Sequence, residues 1–226
     1  MRIGNECYNL IMIRKHYENV KNTIGDHVQL CIVTKRRSTE EILSYYEAGE
    51  RMFAENHAQQ LKARAAELPS DIRWQFIGHL QRNKVKDIIR LVDCIQSLDN
   101  LPLAQVIEKE AAKAERIVDV LCEFHLADED TAKTGLNKEE AVPFIKEVLK
   151  LEHIRVKGIM VMGPHTDDKE RIREVFNEAH ELFMNLQKEF GNEIMHTLSM
   201  GMSSDYAIAV QCGSTLVRIG TYLFEE

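Results

Sequence analysis

The chain has 226 residues, 44% hydrophobic and 29% charged, enough to fill one core and without the run of about 20 apolar residues that a bilayer crossing needs. Lys and Arg total 29 against 36 for Asp and Glu, a formal charge of -7, which argues against a main partner that is a polyanion such as nucleic acid. Five cysteines (Cys7, Cys31, Cys94, Cys122, Cys212) form no Cys-x-x-Cys pair, and Met1-Arg2-Ile3-Gly4-Asn5-Glu6 lacks a signal-peptide apolar region, so a reduced cytoplasmic protein with no membrane segment is expected.

An amphipathic stretch from about Asn5 to Asn22 predicts an extra N-terminal helix. After it, strand and helix patterns alternate. Strands are expected at Val28 to Thr34, Met52 to Ala54, Arg73 to Ile77, Cys94 to Ser97, Val118 to Phe124, Arg155 to Met160, Glu193 to Leu198 and Thr215 to Ile219. The intervening helices are expected at Thr39 to Ala48, Ala58 to Glu67, Gln81 to Ile89, Leu101 to Ala114, Lys138 to Leu149, Asp168 to Phe190 and Asp205 to Gln211. Four prolines and no Gly/Ser-rich linker leave no place to divide the chain, so residues 1–226 are read as one domain. Strand-helix alternation carried to eight strands is the pattern of an α/β protein closed into a (β/α)8 TIM barrel. Met52 to Ala54 and Cys94 to Ser97 are short enough to be loops, and their failure would favour an open doubly wound sheet.

In a barrel the chemistry gathers at the C-terminal ends of the strands. Alternation along the first strand points Cys31 and Val33 inward, Leu30 and Ile32 outward, and extends to an inward Lys35 at the mouth. Two readings stand there: a solvated basic turn with Arg36 and Arg37, or a desolvated amine suited to Schiff-base chemistry with a carbonyl compound. After the seventh strand, Leu198-Ser199-Met200-Gly201-Met202-Ser203-Ser204-Asp205 offers free N–H groups, a tight glycine turn and a helix start for an anion. Ile219-Gly220-Thr221 offers a second such turn after the eighth strand, and these two loops form the usual phosphate cradle of the architecture. Arg218 ends an apolar run and needs a partner; beside a heteroaromatic nitrogen it would keep that nitrogen unprotonated, and a rim salt bridge is its plain alternative. Asn56 and His79 reach mouth positions after strands two and three, where each serves either a ligand or its own backbone. The nine histidines show no zinc spacing, so no metal site is expected, and no Gly-x-Ser-x-Gly, P-loop or Gly-x-Gly-x-x-Gly motif supports a hydrolase, nucleotidase or Rossmann reading.

These segments together resemble the pyridoxal 5'-phosphate homeostasis family, whose barrel is similar to the alanine racemase N-terminal domain. The resemblance runs nearly the whole chain through Val33-Thr34-Lys35, Phe53-Ala54-Glu55-Asn56, Phe76-Ile77-Gly78-His79-Leu80-Gln81-Arg82-Asn83-Lys84, Gly158-Ile159-Met160-Val161-Met162, Leu198 to Asp205 and Gly213-Ser214-Thr215-Leu216-Val217-Arg218-Ile219-Gly220-Thr221. It implies the fold type III architecture of pyridoxal phosphate proteins and a monomer. It further implies pyridoxal 5'-phosphate held as an aldimine on Lys35, with Arg218 at the pyridine nitrogen, Asn56 by the ring, and Ser199, Gly201, Ser203, Gly220 and Thr221 around the phosphate; His79, from its position, would stack on the ring or satisfy a backbone carbonyl. The sequence departs from the family's usual Phe-Gly-Glu-Asn-Arg at Ala54 and His57, in the segment Glu123 to Asp128, and at the end Phe224-Glu225-Glu226 where a glycine is common.

Two functions from different classes follow. One is a non-catalytic protein of vitamin B6 and amino-acid balance that captures the aldehyde and passes it to apo-enzymes. The other is an amino-acid racemase, which in the architecture the resemblance suggests takes a second proton-transfer base from a further domain; here the chain stops five residues after Thr221, and none of the six tyrosines is an evident substitute. An arginine at the ring nitrogen also makes the cofactor a poorer electron sink, so the holder is the expected function. A barrel binding some other phosphorylated metabolite without covalent chemistry is the blander alternative.

Overall fold

The computed structural model describes residues 15–127 and 134–224. Residues 15–24 form a helix (α1), so the C-terminal half of the expected N-terminal helix is present, and residues 5–14 of that expectation lie outside the described residues. Eight parallel strands then close into a barrel in the sequential order β1 to β8. They are β1 (Gln29–Val33), β2 (Met52–Glu55), β3 (Arg73–Phe76), β4 (Val92–Leu98), β5 (Val118–Phe124), β6 (Ile154–Val161), β7 (Thr197–Ser199) and β8 (Leu216–Ile219). The helices after them are α2 (Thr39–Glu47), α3 (Ala58–Glu67), α4 (Val85–Ile88), α5 (Leu101–Lys113), α6 (Ala141–Val148), α7 (Lys169–Phe190), α8 (Tyr206–Gln211) and α9 (Thr221–Phe224). Both short strand expectations hold, and the open-sheet alternative falls with the pairing of β1 to β8.

Period-two alternation produces two cores. Outward residues such as Leu30, Ile32, Phe53, Trp74, Phe76 and Ile95 pack with Ile42, Tyr45, Leu61, Ile88, Ile107 and Phe176 of the helices. Inward residues form smaller clusters, Cys31, Val33, Met52, Ala54 and Leu216 on one side and Cys94, Leu121 and Met160 on the other. The helix starts are fixed locally: Ser38 and Glu41 make a reciprocal capping box at α2, Asn100 caps α5 with Pro102 in its first turn, and Asp168 caps α7.

Three expected elements shift; the helix expected from Lys138 begins as a 3-10 turn at Lys138–Glu140 before α6. The seventh strand is Thr197–Ser199 rather than Glu193 to Leu198, because Gly191 at φ 88° ends α7 and its carbonyl accepts the N–H groups of Ile194 and Met195, which spends those residues on a turn. The helix expected from Gln81 divides into a 3-10 turn at Arg82–Lys84 and the one-turn α4. Among the described residues no helix is long and apolar enough to cross a membrane.

Candidate functional site

The C-terminal mouth of the barrel collects the expected residues by strand register. Val33 pairs with Ala54, and Lys35 and Asn56 each lie two residues beyond that pair; Cys31 pairs with Arg218, which sits beside it on β8. Gly220 follows β8 so closely over β1 that an added Cβ would stand 3.0 Å from the Val33 carbonyl oxygen.

Arg218 is 2% exposed and held wholly by neutral acceptors. Its Nη1 donates to Ser199 Oγ at 2.6 Å, and its Nη2 donates to the Val161 carbonyl at 3.0 Å and meets Met162 Sδ at 3.3 Å. Among the described residues no carboxylate pairs with it, so the rim salt bridge is not formed. Burial lowers its pKa, and the fields of Cys31, Glu123 and Asp205 act in the opposite direction.

The two expected anion loops are joined. The Tyr222 N–H donates to Ser203 Oγ at 3.1 Å, and the Arg218 N–H donates to the Gly201 carbonyl at 2.9 Å. Gly201 takes φ 95° and lies against α8, where a Cβ would come within 2.5 Å of Ala209 Cβ. Asp205 closes the first loop by accepting the Met202 N–H at 2.6 Å; burial raises its pKa, partly offset by that hydrogen bond and by Arg218. Among the described residues, the N–H groups of Ser203, Ser204, Gly220 and Thr221 donate to no protein acceptor. A pair of loops presenting free donors beside a buried guanidinium has the donor set an anionic phosphate requires.

Two expectations need correction. Lys35 is exposed: Arg37 N–H closes a turn onto the Thr34 carbonyl at 3.1 Å with Arg36 at φ 62°, so the strand alternation stops at Thr34 and the lysine is not desolvated. Ser199 is wholly buried and its hydroxyl is spent between Arg218 and Gln96, so it faces the arginine rather than a phosphate. His79 is exposed and lines a cavity of about 480 Å³ together with Asn56, His57, Phe76 and Lys84. Asn56 Oδ1 is buried with no hydrogen-bond partner, an acceptor left for a ligand.

The structure adds residues that the sequence reading did not single out. Glu55 is 1% exposed, with Oε1 2.6 Å from Thr34 Oγ1 and Oε2 buried without a partner; burial raises its pKa, the Thr34 bond opposing. Thr34 Oγ1 also lies 3.1 Å from the Ala54 carbonyl and has one hydrogen to give. Glu123 accepts from Thr134 Oγ1 at 3.0 Å and is likewise raised by burial, with Arg218 and His79 acting against it. Gln75 and Gln96 extend the arginine's hydrogen bonds into the barrel. For Glu123, Gln75 and Gln96 the signal in sequence was a polar side chain at an inward strand position, legible only once the facing of each strand is known. Among the described residues no group of three or more His, Cys, Asp and Glu is placed to hold a metal ion.

Comparison with known proteins gives a consistent set of relatives. Residues 8–226 match the family described as alanine racemase, N-terminal domain. The pyridoxal phosphate homeostasis protein of Aquifex aeolicus is 35% identical over 226 residues, 98% of each chain, and that of Pasteurella multocida is 34% identical over 87% of this chain and 85% of its own. Among solved structures, PipY of Synechococcus elongatus PCC7942 with pyridoxal phosphate bound is 29% identical, with a TM-score of 0.85 over 94% of this chain and 100% of its own.

Proposed function

Because the chain belongs to the alanine racemase N-terminal domain family and, within it, to the pyridoxal phosphate homeostasis proteins, we propose that it binds pyridoxal 5'-phosphate as a holder of the cofactor rather than as an enzyme. The observation that carries this reading is Arg218: a buried cation with neutral acceptors alone, opening on the same mouth as two joined loops with free N–H donors. The residues present fit the group. Ser203, Ser204, Gly220 and Thr221 would grip the phosphate through backbone N–H groups, Gly201 shaping the turn; Asn56 Oδ1 would accept from the ring's hydroxyl; Arg218 would face the pyridine nitrogen; and Lys35 supplies the amine for covalent attachment at the aldehyde carbon. Ser199 acts on the cofactor only through Arg218, and His79 stands at the outer edge of the ring site.

When bound, the cofactor supplies an electrophilic aldehyde carbon and an electron-withdrawing ring. Arg218 disfavours a second positive charge on the ring nitrogen and so restrains that withdrawal, which suits storage better than carbanion chemistry. The exposed Lys35 is reached from solvent, which suits exchange of the aldehyde with free amines and with apo-enzymes. A cytoplasmic location is part of the same reading, supported by the buried free thiols Cys31, Cys94, Cys122 and Cys212; a monomer is part of it on the family resemblance alone.

Absorption spectroscopy tests the proposal. The protein mixed with the cofactor should show a visible band that borohydride removes, and Lys35→Ala should not show it. A panel of amino acids assayed for racemase, lyase and aminotransferase turnover should give none that depends on Lys35; robust turnover would favour the racemase reading.

A further inference from the structure

The hydrogen bonds of Arg218 do not end at Ser199. Ser199 Oγ lies 2.8 Å from Gln96 Oε1, and Gln96 Nε2 lies 3.0 Å from Gln75 Oε1. These four side chains come from β8, β7, β4 and β3; the first and last links join neighbouring strands, and the Ser199–Gln96 link crosses the barrel interior from β7 to β4. Exposures of 2%, 0%, 0% and 5% along it keep it out of bulk water. Proton accounting fixes its direction. A guanidinium has donors only, so Ser199 Oγ accepts from Arg218 and keeps its single hydrogen for Gln96 Oε1; that leaves the Gln96 amide nitrogen to donate to Gln75. Each donor points away from the arginine, and neither glutamine amide is free to turn over without breaking a bond. At the far end Gln75 lines a polar cavity of about 330 Å³ with Arg73, Asp93, Asp119 and Lys157, and none of the four side chains is left with a buried unpartnered polar atom.

We propose that Gln96 and Ser199 are positioning residues that aim the Arg218 guanidinium at the cofactor ring nitrogen, with Gln75 as the anchor that fixes the Gln96 amide. The assignment rests on the reading of this mouth as a pyridoxal phosphate site. Its physical content is that Arg218 is oriented by neutral groups alone. A carboxylate would orient it equally well but would cancel the charge that acts on the ring, whereas an amide and a hydroxyl fix the geometry and leave the charge intact.

The test uses the full chain in two arms. In the cofactor-free protein, proton exchange at the Arg218 guanidinium, assigned with Arg218→Lys, is followed by nitrogen-15 NMR. Gln96→Leu and Ser199→Ala are expected to speed that exchange by on the order of tenfold, the loss of one hydrogen bond to a charged group, while Gln96→Glu, which keeps the acceptor for Ser199, stays within a few-fold of the parent. In the cofactor-loaded protein, the resonance of nitrogen-15-labelled pyridoxal phosphate is expected to move in the two disrupting variants and to move also in Gln96→Glu, whose carboxylate keeps the acceptor for Ser199 but offsets the charge of Arg218. Melting curves identify any variant that fails to fold, and Ser199→Ala, which removes one oxygen, keeps the test open should Gln96→Leu do so. Unchanged exchange in both folded disrupting variants, or faster exchange with an unmoved ring resonance, would overturn the proposal. Failure of the parent protein to take up cofactor would defeat the functional reading instead, and the cofactor-free arm would still decide whether the chain holds Arg218.

Discussion

Gly201→Ala probes the junction of the anion loop, α8 and Arg218. Gly201 sits at φ 95°, where an L side chain costs about 1–2 kcal/mol. The added Cβ would stand 2.5 Å from Ala209 Cβ and 3.0 Å from Tyr206 Cα, so α8 must retreat by about 1 Å from ordinary contact, an overpacking that costs about 1–3 kcal/mol. The sum is about 2–5 kcal/mol. Gly49→Ala provides the control, since Gly49 has φ 102° and nothing within 4 Å of an added Cβ; it should lose the conformational part alone, about 1–2 kcal/mol. Urea denaturation measures both. Because the Gly201 carbonyl accepts the Arg218 N–H and its loop meets Tyr222 through Ser203, Gly201→Ala should also weaken cofactor binding by roughly tenfold or more, with Gly49→Ala unchanged. Equal losses of stability in the two variants, or unaltered cofactor affinity in Gly201→Ala, would refute the packing argument.

Asn56→Ala should move stability and binding in opposite directions: removing a buried oxygen that has no partner leaves the melting temperature equal or slightly higher, while cofactor affinity measured by titration falls about tenfold. A parallel loss of both would mean that Asn56 is structural. Glu55 binds its proton more tightly in the folded chain than in the unfolded one, so its contribution to stability is full below about pH 4.5 and declines as the pH rises through its raised folded value. Glu55→Gln copies the protonated form and escapes that decline. Urea denaturation from pH 4.5 to 7.5 should therefore show the variant gaining on the parent as the pH rises, and a constant difference would contradict the raised proton affinity of this carboxyl.

The barrel was readable because each strand carries a clear inward and outward set. Leu30 and Ile32 against Cys31 and Val33 follow the alternation to the end of β1. Beyond the strand the rule has no force: Lys35 falls in a turn set by Arg37 and Arg36, and a period of two cannot foresee which residue leaves the ladder. The same limit displaced β7, since the residues after Gly191 are apolar enough for a strand and are spent on a turn. Arg218, Gly201 and Gly220 were visible as a cation and two glycines at strand ends. Ser199 was visible too, but its partner was not. Gln96 lies 103 positions away along the chain, and only the closed barrel brings the two hydroxyl and amide groups together. Glu55 and Asn56 belong to one motif in sequence, while the burial that raises the proton affinity of one and leaves the other an open acceptor is a property of packing.

Peptide mapping by mass spectrometry of the borohydride-treated protein, after mixing with pyridoxal 5'-phosphate, tests most directly whether this mouth holds the cofactor through one lysine. The pyridoxyl mass should reside on the peptide that contains Lys35, and it should vanish from the whole digest when Lys35 is replaced by Ala or when excess inorganic phosphate competes for the Ser203 and Gly220 loops. A label spread over surface lysines, or one that persists unchanged in Lys35→Ala, would contradict it.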